Sequence, residues 1–270
     1  MDYLELKIDV KDEEQRDILL CKLFGEGFES FVESENTLLA YIPSHLFIKE
    51  KVYPILEEFH IDYTFSMIPQ RNWNEEWEKH YDPVLISDKC FIRAPFHPPL
   101  EGYKFDIVIE PKMSFGTAHH ETTVLMIELM LESEFTGRRV LDMGCGTGIL
   151  AIFARKLGAT AIVAVDNDEW SYRNTLENIS RNKVDMIHVE LGNVKIMNNT
   201  SFDMILANIN RNVLLEDLKD YSRLMPGGEL ILSGFYKEDI PVIIDKAEKY
   251  DFRFLTMKTK NNWVAIKFKK

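Results

Sequence analysis

A chain of 270 residues, 46% hydrophobic and 28% charged, is long enough for one large domain or for a medium and a small one, and its composition is that of a globular protein. The net charge of −12 argues against a nucleic-acid reader, no apolar run nears the ~20 residues of a membrane span, and no basic and apolar leader opens the sequence; the expected location is cytoplasmic. Cys21, Cys90 and Cys145 are scattered and show no C-x-x-C pair, which argues against a disulfide frame or a structural zinc.

In chain order, Leu4, Leu6, Ile8 and Val10 alternate with polar residues, the period of a half-buried strand. Asp12 then stands as N-cap for a helix carrying Ile18, Leu19, Cys21, Leu23 and Phe24, ended by Gly25 and Gly27. Strand-like runs Phe28 to Val32 and Thr37 to Ile42 flank Glu33-Ser34-Glu35-Asn36, a hairpin signal. Phe47 to Phe59 is predicted as a second helix that Pro54 must kink or shorten, and Tyr63 to Ile68 as a last strand. The order βαββαβ predicts a ferredoxin-like α+β module over 1–68. Residues 1–66 hold 15 Asp and Glu against 6 Lys and Arg, so −9 of the net charge sits here. An acidic module of this kind steers basic partners.

Residues 69–82 are predicted as a connector, with a short helix whose Trp73 and Trp77 share one face and pack on a neighbour. From residue 83 short strands are expected near Val84–Ile86, Phe91–Ala94 and Phe105–Ile109. Beyond Phe115 strands and helices alternate, which implies a doubly wound, mostly parallel sheet, an α/β domain over 83–270. Its strand candidates are Val140–Met143, Ala161–Val165, Ile187–Leu191, Met204–Ala207 and Glu229–Ser233, closed by a hairpin of Arg253–Lys258 and Trp263–Phe268.

The most informative stretch is Val140-Leu-Asp-Met-Gly-Cys-Gly-Thr-Gly148, an apolar strand broken by glycines at alternate positions and followed at once by the apolar helix pattern Ile149 to Ala154. The second strand ends in Asp166, 22 positions after Gly144, where a nucleotide-binding βαβ unit holds ribose hydroxyls. The spacing G-x-G-x-G differs from the pyrophosphate fingerprint, so a nucleoside without phosphates fits better, and S-adenosylmethionine (SAM) is the expected cofactor. Asn193 and Asn208 end the next two strands. Asn208-Ile209-Asn210 falls where a transferred group would sit, and a neutral amide there can orient an amine beside a sulfonium without repelling it. Asn208 is therefore the expected catalytic residue. Phe115 to Thr123 is expected to close over the cofactor, with Phe115 packing and Thr123 hydrogen-bonding. His119 and His120 lie in it, but neighbouring side chains point apart and no third ligand follows, so no metal is expected. Cys145 has no marked base and suits a small buried thiol.

Phe115-Gly-Thr-Ala-His-His-Glu-Thr-Thr123, the Asp142–Gly148 loop, Asp166 and Ala207-Asn208-Ile209 together resemble the bacterial methyltransferase family of ribosomal protein L11 (PrmA type), as do Asn72-Trp73 to Trp77 and Asn262-Trp263. The resemblance covers roughly residues 70–270. It implies a SAM-dependent protein N-methyltransferase, a monomer, acting on lysine side chains and the α-amine of that basic ribosomal protein, gripped by the leading module. It carries the SAM contacts onto Thr123, Gly144, Gly146, Asp166 and Asn208. Ala118 departs from the family's F-G-T-G loop. Two other readings compete: the same fold acting on RNA or a small molecule, and a binding protein with a relic pocket.

Overall fold

The computed structural model describes residues 2–68, 81–112, 114–197 and 200–270. The chain divides into two compact units with the boundary at Tyr81–Asp82. Most of the expected connector, with Trp73 and Trp77, lies outside the described residues.

The first unit runs β1 (Tyr3–Asp9), α1 (Glu13–Gly25), β2 (Ser30–Ser34), β3 (Thr37–Pro43), α2 (Lys49–Phe59) and β4 (Tyr63–Ile68). Its sheet has the order β2-β3-β1-β4 with every neighbouring pair antiparallel, the split βαβ arrangement. Alternation does the sorting: Leu6, Ile8, Leu38, Ala40 and Ile42 point to one face and are buried against Leu19, Leu23, Val52 and Leu56 of the helices. The Asp12 carboxylate accepts the Gln15 N–H at 2.8 Å and caps α1. Two details differ from the sequence reading. Ile18 and Phe24 are exposed, because the buried stripe of α1 is the i, i+4 pair Leu19 and Leu23. The second helix starts at Lys49, after a 3-10 turn over Ser44–Leu46, and it runs through Pro54, whose ring faces solvent.

The second unit opens with a small sheet of β5 (Val84–Ile86), β6 (Cys90–Arg93) and β7 (Phe105–Val108). The main body follows as α3 (Glu121–Leu131), β8 (Arg139–Met143), α4 (Ile149–Lys156), β9 (Ala161–Asp166), α5 (Glu169–Arg181), β10 (Ile187–Leu191), β11 (Met204–Asn208), α6 (Arg211–Leu224), β12 (Glu229–Tyr236), α7 (Ile240–Glu248), β13 (Arg253–Lys260) and β14 (Trp263–Lys269). Seven strands form one sheet in the order β10-β9-β8-β11-β12-β14-β13; the first five are parallel and the closing hairpin is antiparallel. The sheet separates two apolar clusters. Val140, Leu206 and Ile231 face one, with Met126, Leu129, Ile152 and Phe153; their neighbours Leu141, Ile205, Ala207 and Leu230 face the other, with Leu214, Leu218, Tyr221 and Ile243. Helices thus cover both faces, the doubly wound arrangement that the alternation of elements predicts.

This order places the site. From β8 the chain steps outward to β9 and β10, then returns to lay β11 on the other side of β8. The switch point lies between β8 and β11, and a ligand crevice opens beyond their carboxyl ends. The hairpin joining β13 to β14 turns at Asn261 and Asn262, both at positive φ (46° and 69°), the conformation a tight hairpin needs.

Candidate active site

A cleft of about 430 Å³ opens at the switch point, lined by Gly144, Gly146, Asp166, Asn208, Ile209 and Trp263 among others, and a smaller pocket of about 210 Å³ continues it past Gly192, Asn193 and Val213. Gly144, Gly146 and Gly148 all hold positive φ (71°, 56° and 77°). The last two are needed for neighbours as much as for a ligand. A Cβ on Gly146 would collide with the Phe115 carbonyl, and one on Gly148 would lie 2.7 Å from Thr175 Cγ2. Close packing of two loops is the reason. Thr147 N–H donates to Phe115 O at 2.9 Å, and its hydroxyl donates to Gly116 O at 2.6 Å. The 115–120 segment is thereby tied onto the glycine loop. Ala118 sits in that segment at φ 68°, fully buried, so a residue with a Cβ occupies a left-handed position that costs roughly 1–2 kcal/mol.

A brace behind the loop had no motif in the sequence. Helix α5 buries a polar stripe, Ser171, Asn174, Thr175 and Asn178, where an apolar one would be ordinary. Thr175 donates to Gly146 O at 2.9 Å; Asn178 donates to Thr147 O at 2.9 Å and accepts from Glu110 N–H at 2.9 Å. One turn on, Asn182 pairs with both the N–H and the C=O of Val108. The stripe at positions i, i+3, i+4, i+7 and i+11 was the available signal: a helix face of small polar residues at core spacing. Cys145 Sγ lies 3.4 Å from Thr175 Oγ1, and burial pushes its thiol pKa far up, so it remains a neutral packing group.

Asp166 ends β9 facing the cleft. Its Oδ2 accepts from Gly146 N–H at 2.8 Å and its Oδ1 from Asp168 N–H at 3.0 Å. Each carboxylate oxygen keeps a second lone pair, enough for two vicinal hydroxyls. Asp168, not Asp166, caps α5. Asp142, at the end of β8, is fully buried; Ala151 N–H donates to its Oδ2 at 3.0 Å, and its Oδ1 has no partner. Burial raises its pKa to about 7, with nearby Asp166 adding to the rise.

Across the cleft stands Asn208. Its Nδ2 donates to Thr123 Oγ1 at 3.4 Å, while its Oδ1 is buried with no partner among the described residues. Thr123 is itself fully buried, with its hydroxyl against the Asn208 amide at the cleft wall. Thr122, His120 and Phe115 line the cleft. His120 caps α3 through Nδ1, which accepts from Thr122 N–H at 3.3 Å, and its ring meets Trp263 at 4.6 Å and Phe115 at 5.2 Å. Tyr236 packs against Trp263, ring centroids 4.1 Å apart and planes tilted by 35°. His119 lies apart from this wall, its Nε2 2.9 Å from Asp82 O. Asn193 is taken up in capping the 3-10 turn Val194–Ile196. The structure brings Gly144, Gly146, Asp166 and Asn208 into one cleft, with Thr123 hydrogen-bonded to Asn208.

The donor set fits a nucleoside cofactor. One carboxylate with free lone pairs, glycine backbone on the floor, and a cleft within the size range of small-molecule sites meet at the switch point.

A family model described as "Ribosomal protein L11 methyltransferase (PrmA)" matches residues 8–270. A ribosomal protein L11 methyltransferase of Porphyromonas gingivalis is 46% identical over 260 residues, covering 93% of this chain and 90% of that protein. One of Bacteroides fragilis is 46% identical over 278 residues, with 99% of each covered. The crystal structure of a ribosomal protein L11 methylase from Lactobacillus delbrueckii subsp. bulgaricus superimposes with a TM-score of 0.65 at 26% identity, covering 70% of this chain and 98% of that one.

Proposed function

Since the chain belongs to the ribosomal protein L11 methyltransferase family, we propose that it transfers methyl groups from SAM to lysine side chains and the α-amine of ribosomal protein L11. The observation that carries the site assignment is the Asn208 amide at the switch point, in the same cleft as Asp166: its Nδ2 is engaged by Thr123, and its buried Oδ1 has no partner among the described residues. A buried acceptor left open is costly unless something fills it. A neutral amine supplies the missing hydrogen.

Gly144, Gly146 and Asp166 would hold the cofactor, with Asp166 on the ribose hydroxyls. When bound, SAM supplies an electrophilic methyl on a sulfonium. The rest is work for this chain. At pH 7 a lysine of pKa ~10.4 costs about 4.6 kcal/mol to deprotonate, and an α-amine near ~8 about 1.4. A cationic neighbour in a partly desolvated cleft reduces that cost by lowering the amine's pKa. Asn208 Oδ1 then accepts one hydrogen of the neutral amine and aims its lone pair, with Phe115, His120 and Trp263 lining the cleft beside it. The amine proton leaves to water; alignment carries most of the acceleration. Trp263 and His120 suit the apolar stem of a lysine. The acidic first unit is the substrate-recognition domain, and its charge attracts a basic protein.

The test offers labelled SAM to the full-length protein with purified L11 or with rRNA, and maps the label by mass spectrometry. Label on L11 lysines and its α-amine is expected. Turnover by Asn208→Ala should drop about 100-fold at saturating SAM, with Asn208→Asp recovering part of it. Label on rRNA alone would overturn the substrate assignment; unchanged turnover in Asn208→Ala would remove Asn208 from the chemistry.

A further inference from the structure

The Asn208–Asn210 step is held from both sides by glycine. Strand β11 lies between β8 and β12, and where it ends each neighbour presents a residue without a side chain. On the β8 side, a Cβ on Gly144 would strike Ile209 Cγ2. On the β12 side, a Cβ on Gly234 would strike the Ile209 carbonyl oxygen and lie 2.7 Å from its carbon and 3.0 Å from its nitrogen. The two contacts differ in kind. A side chain such as Ile209 can rotate away, but the Ile209 backbone cannot move without carrying Asn208 and Asn210 with it.

Gly234 interrupts β12. The pairing of β12 with β14 shifts register between Ser233 and Phe235, and Gly234 has φ 99°, a region closed to ordinary side chains. The bulge comes one residue after Ser233, the partner of Asn208 in the β11–β12 ladder. It therefore opens at the height of the catalytic step, and both Gly234 and Ile209 line the cleft. Resuming at Phe235 and Tyr236, the strand puts Tyr236 against Trp263.

We propose that Gly234 is a positioning residue: its bulge makes room for the Ile209 backbone and so fixes the direction of the Asn208 carbonyl oxygen. The proposal rests on the acceptor role of Asn208 given above. A built-in control exists at the other end of the same two strands. Gly228 precedes β12 at φ 153°, and a Cβ there would strike the backbone oxygen of Asp203, just before β11. Gly228→Ala and Gly234→Ala thus impose the same kind of collision on the same strand pair, one far from the cleft and one in it.

Three quantities are measured on each full-length variant: turnover per SAM-binding site, SAM affinity by calorimetry, and the 15N side-chain amide signal of Asn208. For Gly234→Ala, turnover falls about 30-fold or more, since displacements near 1 Å at a reacting centre cost up to ~100-fold, while SAM affinity stays within about threefold. The Asn208 amide signal shifts. Gly228→Ala lowers the melting temperature but leaves turnover per site within about twofold and that signal unmoved. Ile209→Ala, which keeps both glycines and loosens the same step from the Gly144 side, also shifts the signal and serves if Gly234→Ala does not fold. Equal losses of turnover in the two glycine variants, or an unmoved Asn208 signal in Gly234→Ala, would overturn the proposal. Failure of the wild-type protein to methylate L11 would count against the substrate reading instead, because the amide signal reports on Gly234 without turnover.

Discussion

The two units bury different chemistry. In the first, every buried side chain described is apolar, and Leu6, Ile8, Leu19 and Leu23 form a conventional two-layer core. In the second, Thr123, Asp142, Thr147, Asn174, Thr175, Asn178 and Ser233 are all at or below 2% exposure. Burying such groups costs free energy unless each finds a partner. Most do: Thr147 and Asn178 tie the glycine loop, and Thr123 turns Asn208. The difference separates what each unit is built for. The first is held by apolar packing; the second spends part of its stability on fixing polar atoms around a cleft.

That contrast can be broken at four points. Leu19→Ala should destabilise the first unit by about 3 kcal/mol, the usual cost of a buried leucine, and leave SAM affinity untouched. Calorimetry of SAM binding beside thermal unfolding checks both halves; a loss of SAM affinity would show that the units are not energetically separate. Next in size, Asp166→Ala should weaken SAM binding by roughly 1.5–3 kcal/mol, the worth of hydrogen bonds to a charged group. Because Asp166 also accepts from Gly146 and Asp168, the loop loosens as well, and hydrogen exchange at those two amides should quicken.

Asn178→Ala strands the Glu110 N–H and the Thr147 carbonyl, so a stability loss of about 2 kcal/mol is expected, together with weaker SAM binding. A stability loss with full SAM affinity would mean that the brace serves the fold alone. The effect at Asp142 depends on pH. Its native pKa of about 7 lies above the unfolded value of 3.8, so the folded state holds a proton that the unfolded state has lost. Its contribution is full below pH ~4 and is lost as pH rises through ~7. Asp142→Asn mimics the protonated form and can still accept from Ala151 N–H. Its stability relative to wild type should therefore rise between pH 5 and pH 8, by roughly 2–3 kcal/mol for these two pKa values. Urea midpoints at the two pH values read this directly; a wild-type stability flat from pH 5 to 8 would contradict it.

Much of this protein was legible along the chain. Alternation marked β1 and β3, the apolar run and three glycines marked β8 and its loop, and the interval from Gly144 to Asp166 marked the carboxylate at the cleft. These signals are local: strand period, left-handed φ at glycine, and distance along a βαβ unit do not depend on the remaining chain. What tertiary structure decided is which polar group meets which. The motif marked Thr123 for the cleft, but its hydrogen bond to Asn208, 85 residues away, is a contact that only the fold makes. The polar stripe on α5 takes its meaning from β7 and the glycine loop, which are laid against it. Trp263 could be assigned to a closing strand, but its seat against His120 follows from β14 lying next to β12 and over the start of α3. Such pairings are set by strand order and by the one-residue bulge at Gly234, and neither has a period or a composition for a sequence to display.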